Sequence, residues 1–215
     1  MRKKSKRQLM IGAGLLILFA LWTILVHRVD VRPIGPQGSS VGFAALNGAV
    51  HNFTGVNMLL YTITDWLGLV PIGIALGFGI LGLSQWIRRR RLLQVDRSIL
   101  ALGGFYIVVM AVFVCFEVFV INYRPVLIEG RLEASYPSST TMLAICVLST
   151  AVLQFRSRIE KPVLRRWVIS LSLALLAFLV IGRVISGVHW FSDILGGAVL
   201  SAGLVSTYYA LSGLE

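Results

Sequence analysis

Metal-binding and acidic side chains are scarce in this chain of 215 residues, which has three histidines, two cysteines and nine Asp or Glu residues. No set of His, Cys and carboxylate side chains has the spacing of metal ligands, so neither a metal nor another cofactor is predicted. Both cysteines, Cys115 and Cys146, fall inside apolar runs. They are therefore interpreted as packing residues rather than as a disulfide.

Charge is also scarce. Only 13% of the residues are charged and 57% are hydrophobic, with a mean hydropathy of +0.84. This composition excludes an ordinary soluble domain and predicts an integral membrane protein. The net charge of +11 would suggest nucleic acid binding in a soluble chain. Here the basic residues cluster in short segments between apolar runs, so they indicate membrane topology, and no nucleic acid partner is expected.

Six apolar runs have the length of membrane-spanning helices or nearly so. They are predicted over Leu9–Val26, Leu67–Ile87, Ile99–Asn122, Thr140–Phe155, Trp167–Ile185 and His189–Leu211. The predicted fold is an all-α bundle of six transmembrane helices in one domain, residues 1–215.

The region between the first two runs is less regular. Residues 32–55 predict an ordered loop or a re-entrant segment, and residues 56–63 predict an interfacial helix. Thr64-Asp65 has the pattern of a helix start before the second span. Four glycines of that span predict a helix face that a neighbouring helix can approach closely: Gly73, Gly77, Gly79 and Gly82.

The basic residues predict the orientation. Fifteen of the twenty Lys and Arg lie in three segments, residues 1–7, 88–97 and 156–166. With six spans these segments share one side, which is therefore the cytoplasmic side. Both termini are expected there, and a bacterial cytoplasmic membrane is the expected location.

The stretch from Gly182 to Asp193 separates two apolar runs with an arginine, a histidine and an aspartate. If a helix begins at His189, Asp193 lies one turn further on the same face. Its carboxylate can then accept a hydrogen bond from one imidazole nitrogen and leave the other free to attack or take a proton. The guanidinium of Arg183 suits phosphate oxygens. The alternative interpretation is that Arg183 caps a span and His189 lies at the membrane interface.

Two further polar segments are expected on the extracytoplasmic side. Arg124-Pro125 lies where the third span is expected to end, because proline stops a helix. Ser138, Ser139 and Thr140 open the fourth span. Their hydroxyls and free backbone N–H groups offer an anion site at a helix N-terminus, with simple helix capping as the alternative.

Together these segments resemble the type-2 phosphatidic acid phosphatase superfamily, which also contains the vanadium haloperoxidases. Its blocks are, in order, Lys-x6-Arg-Pro, Pro-Ser-Gly-His and Ser-Arg-x5-His-x3-Asp. The matching residues are Arg124-Pro125 in the first block, Pro137-Ser138 in the second, and Arg183, His189 and Asp193 in the third, where Gly182 replaces the serine. The resemblance covers about residues 117–215.

The sequence departs from the family pattern at two positions. Glu117 stands where the family has lysine, and Thr140 stands where it has the histidine of the second block. By the resemblance, the lysine would hold phosphate and the histidine would protonate the leaving group. Threonine is not an acid of comparable strength.

The resemblance implies a mechanism. His189 Nε2 would attack phosphorus and form a phospho-histidine intermediate, while Asp193 holds the ring tautomer. The phosphoryl oxygens would be held by Arg183, Arg124, Ser138 and the N–H groups of Ser139 and Thr140. Water would then hydrolyse the intermediate.

Three further residues are candidate accessory groups. Glu117 is expected to share a helix face with Arg124, and a glutamate buried in a membrane span is expected to pair with an arginine of the site. Arg131 either lines the entrance or is a solvated loop charge. His51 either replaces the absent acid or has an interfacial structural role.

The sequence thus predicts a membrane phosphatase acting on a lipid-borne phosphate or diphosphate at the extracytoplasmic face, with polyprenyl diphosphate favoured. The expected partners are this substrate and the surrounding membrane lipids. The alternative is a catalytically impaired lipid-phosphate binder of the same fold. A transporter is disfavoured because the charged residues collect at one face rather than at the bilayer midplane. Vanadate-dependent oxidation is disfavoured because that branch of the family is soluble.

The orientation is testable by labelling. The basic residues place residues 123–139 outside, so a cysteine introduced at Gly130 should react with an impermeant thiol reagent in intact cells. Labelling that occurs only after permeabilisation would contradict the orientation and, with it, the outward-facing site.

Overall fold

Residues 3–214, which the computed structural model describes, form eight α-helices. These are α1 (Lys3–Arg28), α2 (Ala44–Thr54), α3 (Met58–Leu67), α4 (Leu69–Arg89), α5 (Arg97–Val118), α6 (Ser139–Arg158), α7 (Pro162–Ile185) and α8 (Phe191–Ser212). Short 3₁₀ turns occur at Pro36–Gly38 and Leu92–Gln94. Extended pairing within the described residues is limited to isolated antiparallel bridges, two of them in the loop between α5 and α6.

Six helical segments are long and apolar enough to cross a membrane. They are α1, α3 together with α4 (Met58–Arg89), α5, α6, α7 and α8. The predicted all-α architecture with six spans is therefore confirmed. The chain is a multi-pass membrane protein whose second span is interrupted at Gly68, between α3 and α4.

The boundaries of the second span differ from the prediction. Thr64 and Asp65 do not start a helix but lie in the last turns of α3. The N-cap is Asn57, whose Oδ1 accepts a hydrogen bond from Leu60 N at 2.9 Å. The predicted interfacial helix is thus the beginning of this span. The preceding region, predicted as a loop or re-entrant segment, contains α2.

The third span is also shorter than predicted. It ends at Val118 rather than at Asn122, because Phe119 leaves helical backbone geometry. The chain then forms a loop in which Tyr123 pairs with Ala134. Asn122 and Arg124 consequently lie in this loop rather than on the helix.

α6 and α8 form the centre of the bundle. Of the apolar 18-residue stretch in each span, 56% is buried inside the protein in α6 and 50% in α8. In the other four spans the buried share lies between 17% and 22%. The core contains buried side chains from α1, α5, α6 and α8, among them Phe19, Leu102, Cys146, Leu204 and Tyr208. The peripheral spans expose the remaining apolar surface, which a bilayer would cover.

Small residues let α1 approach α8 closely. A Cβ atom on Gly12 would lie 2.5 Å from Thr207 Oγ1 and 3.0 Å from the Gly203 carbonyl oxygen. The glycine face predicted on the second span is mostly wrong. Only Gly82 makes a close approach, 2.9 Å from Ile99 Cγ2, while Gly73, Gly77 and Gly79 have no neighbour within 4 Å. Small residues therefore allow close packing between α1 and α8 rather than along the glycine face of the second span.

Replacing Gly12 by leucine should destabilise the protein, because the added side chain must push α8 away. Overpacking of this kind typically costs about 1–3 kcal/mol. The measurement is thermal unfolding in detergent, with the remaining folded protein quantified by size-exclusion chromatography after heating. The matched control is Gly14→Leu on the same helix, since Gly14 has no neighbour within 4 Å. Equal stability of the two variants would contradict the close packing of α1 against α8.

Candidate active site

The junction between α7 and α8 carries the third motif. Arg183 lies in the last turn of α7, His189 lies in the connecting segment, and Asp193 lies in the first turn of α8. The helix begins at Phe191 rather than at His189. The assumption that placed His189 and Asp193 on one helix face is therefore wrong, although both side chains still meet in the same buried cluster.

Ser135 lies between the histidine and the aspartate. Its Oγ is 3.0 Å from His189 Nδ1 and donates to Asp193 Oδ2 at 2.6 Å. The predicted direct bond from Asp193 to the ring is thus replaced by a bridge through a hydroxyl group. His189 and Asp193 are 5% and 0% exposed, so the bridge is shielded from solvent.

The carboxylate of Asp193 is held by four donors, two on each oxygen. Asn122 Nδ2 and Ser192 Oγ donate to Oδ1 at 2.9 Å and 3.1 Å. Ser135 Oγ and the Trp190 backbone N–H donate to Oδ2 at 2.6 Å and 3.3 Å. Because every donor has a fixed position, the carboxylate cannot rotate without losing hydrogen bonds.

The second nitrogen of His189 contacts an arginine. Arg124 Nη1 lies 3.2 Å from His189 Nε2. A guanidinium only donates hydrogen bonds, so Nε2 accepts and must carry a lone pair. Burial, followed by the charges of Arg124 and Arg183, lowers the pKa of His189 well below its ordinary value. The ring is therefore neutral at neutral pH, with an unprotonated Nε2.

Two arginines act electrostatically on His189, and each is paired with a carboxylate. Arg183 donates to Asp65 Oδ1 at 2.8 Å, and Arg124 Nε lies 3.1 Å from Glu133 Oε2. Both guanidinium groups also lie over the ring of Tyr61, at 4.8 Å for Arg183 and 5.9 Å for Arg124. Tyr61 and Asp65 place α3 at the edge of the site.

Several buried donors of these arginines lack an acceptor among the described residues. They are Nε and Nη1 of Arg183 and Nε of Arg124, whose contact with Glu133 does not have hydrogen-bond geometry. Arg183 is only 1% exposed. Unsatisfied buried donors are costly, and an anion with several oxygens would satisfy them.

The second motif lies at the start of α6. Ser138 is buried, and its hydroxyl accepts from Thr141 N at 3.5 Å, as in helix capping. Its backbone N–H donates to the Asp193 carbonyl oxygen at 3.0 Å. Ser139 and Thr140 are half-buried in the first helical turn. The capping alternative thus describes the Ser138 side chain in this structure, and a role of these three residues in binding substrate stays a prediction.

The expected pairing of Glu117 with an arginine of the site is wrong. Because α5 ends at Val118, Glu117 lies at the helix end and is exposed, and it forms no ion pair within residues 3–214. Glu133 occupies the position beside Arg124 instead. Arg131 is exposed in the turn from Ile128.

His51 lies on α2 against the indole ring of Trp190, with ring centroids 5.5 Å apart. Burial lowers the pKa of His51, while a hydrogen bond with the Gly187 backbone raises it by a smaller amount. Its Nδ1 atom is buried without a hydrogen-bond partner. His51 therefore neighbours the third motif, but none of the described hydrogen bonds or ion pairs joins it to Arg124 or Arg183.

The residues that sequence reasoning missed come from loops and from α3. Ser135, Asn122, Tyr61 and Asp65 were not assigned to the site. Asp65 carried a signal, since a carboxylate inside an apolar segment is usually paired. Ser135 carried none, because a serine in a polar loop is unremarkable. No group of three His, Cys, Asp or Glu side chains that could hold a metal ion occurs within residues 3–214.

Comparison with known proteins gives two matches. Residues 115–214 match the family model of the PAP2 superfamily. The fold is similar to the crystal structure of a transmembrane PAP2 type phosphatidylglycerolphosphate phosphatase from Bacillus subtilis, with a TM-score of 0.59, 17% sequence identity and 93% of each chain covered. None of the curated proteins matches the sequence significantly. The resemblance predicted from the three motifs is confirmed.

Proposed function

Because residues 115–214 of this chain match the family model of the PAP2 superfamily, we propose that the protein is a membrane phosphatase for a lipid-borne phosphate or diphosphate. One observation carries this proposal: the unprotonated Nε2 of a neutral, buried histidine faces a guanidinium, and the unsatisfied donors of a second arginine lie close by. These groups supply a nucleophile and an anion site together.

The chemistry proceeds by two displacements at phosphorus. The phosphate group enters between Arg124 and Arg183 and takes over the Arg124 Nη1 donor from His189. The Nε2 lone pair then forms a P–N bond, while the P–O bond to the leaving group breaks and its electron pair leaves with the oxygen. Water next attacks phosphorus, the P–N electrons return to the ring, and the proton of the water passes to phosphate or solvent.

The position of α3 supports entry from the membrane. This helix contributes Tyr61 and Asp65 to the site, while Leu59, Ile63 and Trp66 are exposed on its outer surface. In a bilayer these side chains face lipid. A lipid substrate can therefore approach the arginines laterally along α3, from the extracytoplasmic leaflet if the predicted orientation holds.

A second candidate function follows from the two departures from the family pattern. With Glu117 in place of lysine and Thr140 in place of histidine, the protein would bind lipid phosphates without turning them over. The arginine pair would be sufficient for such binding. Turnover distinguishes this function from the first.

The primary test is phosphate release by the purified protein from lipid phosphates and diphosphates in detergent or vesicles. His189→Ala should reduce turnover to background, because it removes the nucleophile. His27→Ala is the matched control, since His27 is exposed at the end of α1. Binding without release by the wild type would favour the second function, and full activity of His189→Ala would exclude His189 as the nucleophile.

The residue at position 140 predicts substrate selectivity. An alkoxide leaving group needs a proton as the P–O bond breaks, whereas phosphate, with a second pKa of about 6, departs nearly unaided. General acid catalysis is typically worth about 10²–10⁴-fold. Without it, the protein should hydrolyse a polyprenyl diphosphate far faster than phosphatidylglycerolphosphate, the monoester named for its structural neighbour.

Thr140→His should raise monoesterase activity more than diphosphatase activity, because it restores an acid near the leaving group. Both substrates are compared in the wild type, in Thr140→His and in His51→Ala. Equal or faster monoester hydrolysis by the wild type would contradict the selectivity argument. Loss of that hydrolysis in His51→Ala would then identify His51 as the acid.

A further inference from the structure

Ser135 lies in the loop before α6, outside all three motifs. The residue is 2% exposed, and its backbone N–H donates to the Asn122 carbonyl oxygen at 2.9 Å. Among the described hydrogen bonds, its hydroxyl is the one side-chain group that bonds to both His189 and Asp193. The loop backbone therefore fixes a hydroxyl group between the nucleophile and the buried carboxylate.

The hydrogen-bond inventory of the three side chains leaves one consistent arrangement. Arg124 can only donate, so His189 Nε2 accepts and the hydrogen of the neutral ring lies on Nδ1. That hydrogen faces Ser135 Oγ at 3.0 Å, which can accept it, and the Ser135 backbone is a second hydrogen-bond partner of the ring. The single hydroxyl hydrogen of Ser135 then points to Asp193 Oδ2 at 2.6 Å, a short distance typical of O–H···O⁻ bonds.

We propose that Ser135 is a positioning residue for phosphoryl transfer, whose hydroxyl couples the Asp193 carboxylate to His189 and holds the ring in its Nδ1-protonated tautomer. This inference rests on the proposed function for its catalytic consequence. The tautomer itself depends only on the geometry described above.

The coupling matters most when the P–N bond forms. Nε2 donates its lone pair to phosphorus, and the ring becomes a cation that retains the hydrogen on Nδ1. The Ser135 oxygen accepts this hydrogen more strongly, because its own hydrogen is polarised by Asp193. No proton has to leave the ring, and the positive charge is stabilised by a carboxylate that does not touch it.

Kinetics test the positioning role. Ser135→Ala should lower kcat by about 10²-fold or more, since a ring held in the wrong tautomer cannot attack. KM should change less than about threefold, because none of the described hydrogen bonds joins Ser135 to Arg124 or Arg183. Ser135→Thr retains the hydroxyl and should recover most of the lost activity. Ser135 lines a small cavity together with Glu117 and Pro137.

Ser192→Ala is the matched comparison. Ser192 also donates to Asp193, at 3.1 Å, but none of the described hydrogen bonds joins it to His189. Its loss should reduce kcat by less than about tenfold if coupling to the ring is what matters. In an Asp193→Asn background, Ser135→Ala should cost little more, because the two residues act as one unit. Equal losses in Ser135→Ala and Ser192→Ala, or additive losses with Asp193→Asn, would overturn the proposal.

Nitrogen NMR of ¹⁵N-histidine-labelled protein tests the tautomer without any turnover. The chain has only three histidines, so His27→Ala and His51→Ala assign the His189 signals. The wild type should show hydrogen on Nδ1, and Ser135→Ala should show a shift towards a mixture of tautomers. A ring protonated on Nε2 in the wild type, or no change in Ser135→Ala, would overturn the inference. The expected shift in a protein without phosphatase activity would contradict the proposed function alone.

Discussion

An ionised carboxylate away from water needs several donors, because the desolvation penalty is several kcal/mol per ion. Asp193 is fully buried and receives four hydrogen bonds, from Asn122, Ser135, Ser192 and the Trp190 backbone. These donors come from the loop before α6 and from the junction between α7 and α8. Any displacement of one segment relative to the other leaves a buried charge unsatisfied. The position of His189 depends on this constraint, since its ring is held to Asp193 through Ser135.

The N-terminal part of the chain, which carries none of the motifs, is tied to the same carboxylate. Asn47 accepts from the Ser192 backbone N–H at 3.0 Å and donates to the Ser192 hydroxyl at 2.9 Å. Gly42 N donates to Asn122 Oδ1 at 3.4 Å. The amides of Asn47 and Asn122 thus connect the region around α2 to the donors of Asp193. We interpret the site as a product of the whole fold rather than of residues 115–214 alone.

The spans were predictable because apolar length and basic clusters are local properties of the sequence. The structure of the junction between α7 and α8 was not predictable. The spacing of His189 and Asp193 gives a shared helix face only if the helix starts at His189. The connecting segment instead continues to Trp190, and α8 begins at Phe191. Thr64-Asp65 resembled a helix start by residue type alone, whereas the true cap, Asn57, lies eight residues before Asp65. Ser135 and Tyr61 reach the site through tertiary contacts between distant segments, which spacing along the chain cannot reveal. The replacement of the motif serine by Gly182 also has a tertiary cause, since a Cβ atom there would lie 2.6 Å from Thr64 Cγ2 of α3.

That close packing of α3 on α7 determines how the arginines are compensated before substrate binds. Arg183 is 1% exposed, whereas its partner Asp65 is 61% exposed, and the Glu133 beside Arg124 is 41% exposed. Exposed carboxylates can turn into water at little cost, because ion pairs with a solvated partner contribute about 0–1 kcal/mol. The buried guanidinium of Arg183 has no such freedom and is further held against Tyr61. An incoming phosphate group would therefore displace Asp65 and Glu133 rather than move Arg183. The two carboxylates thus compensate the charge of the arginines in this structure, and the position of Arg183 would be set before a phosphate group arrives.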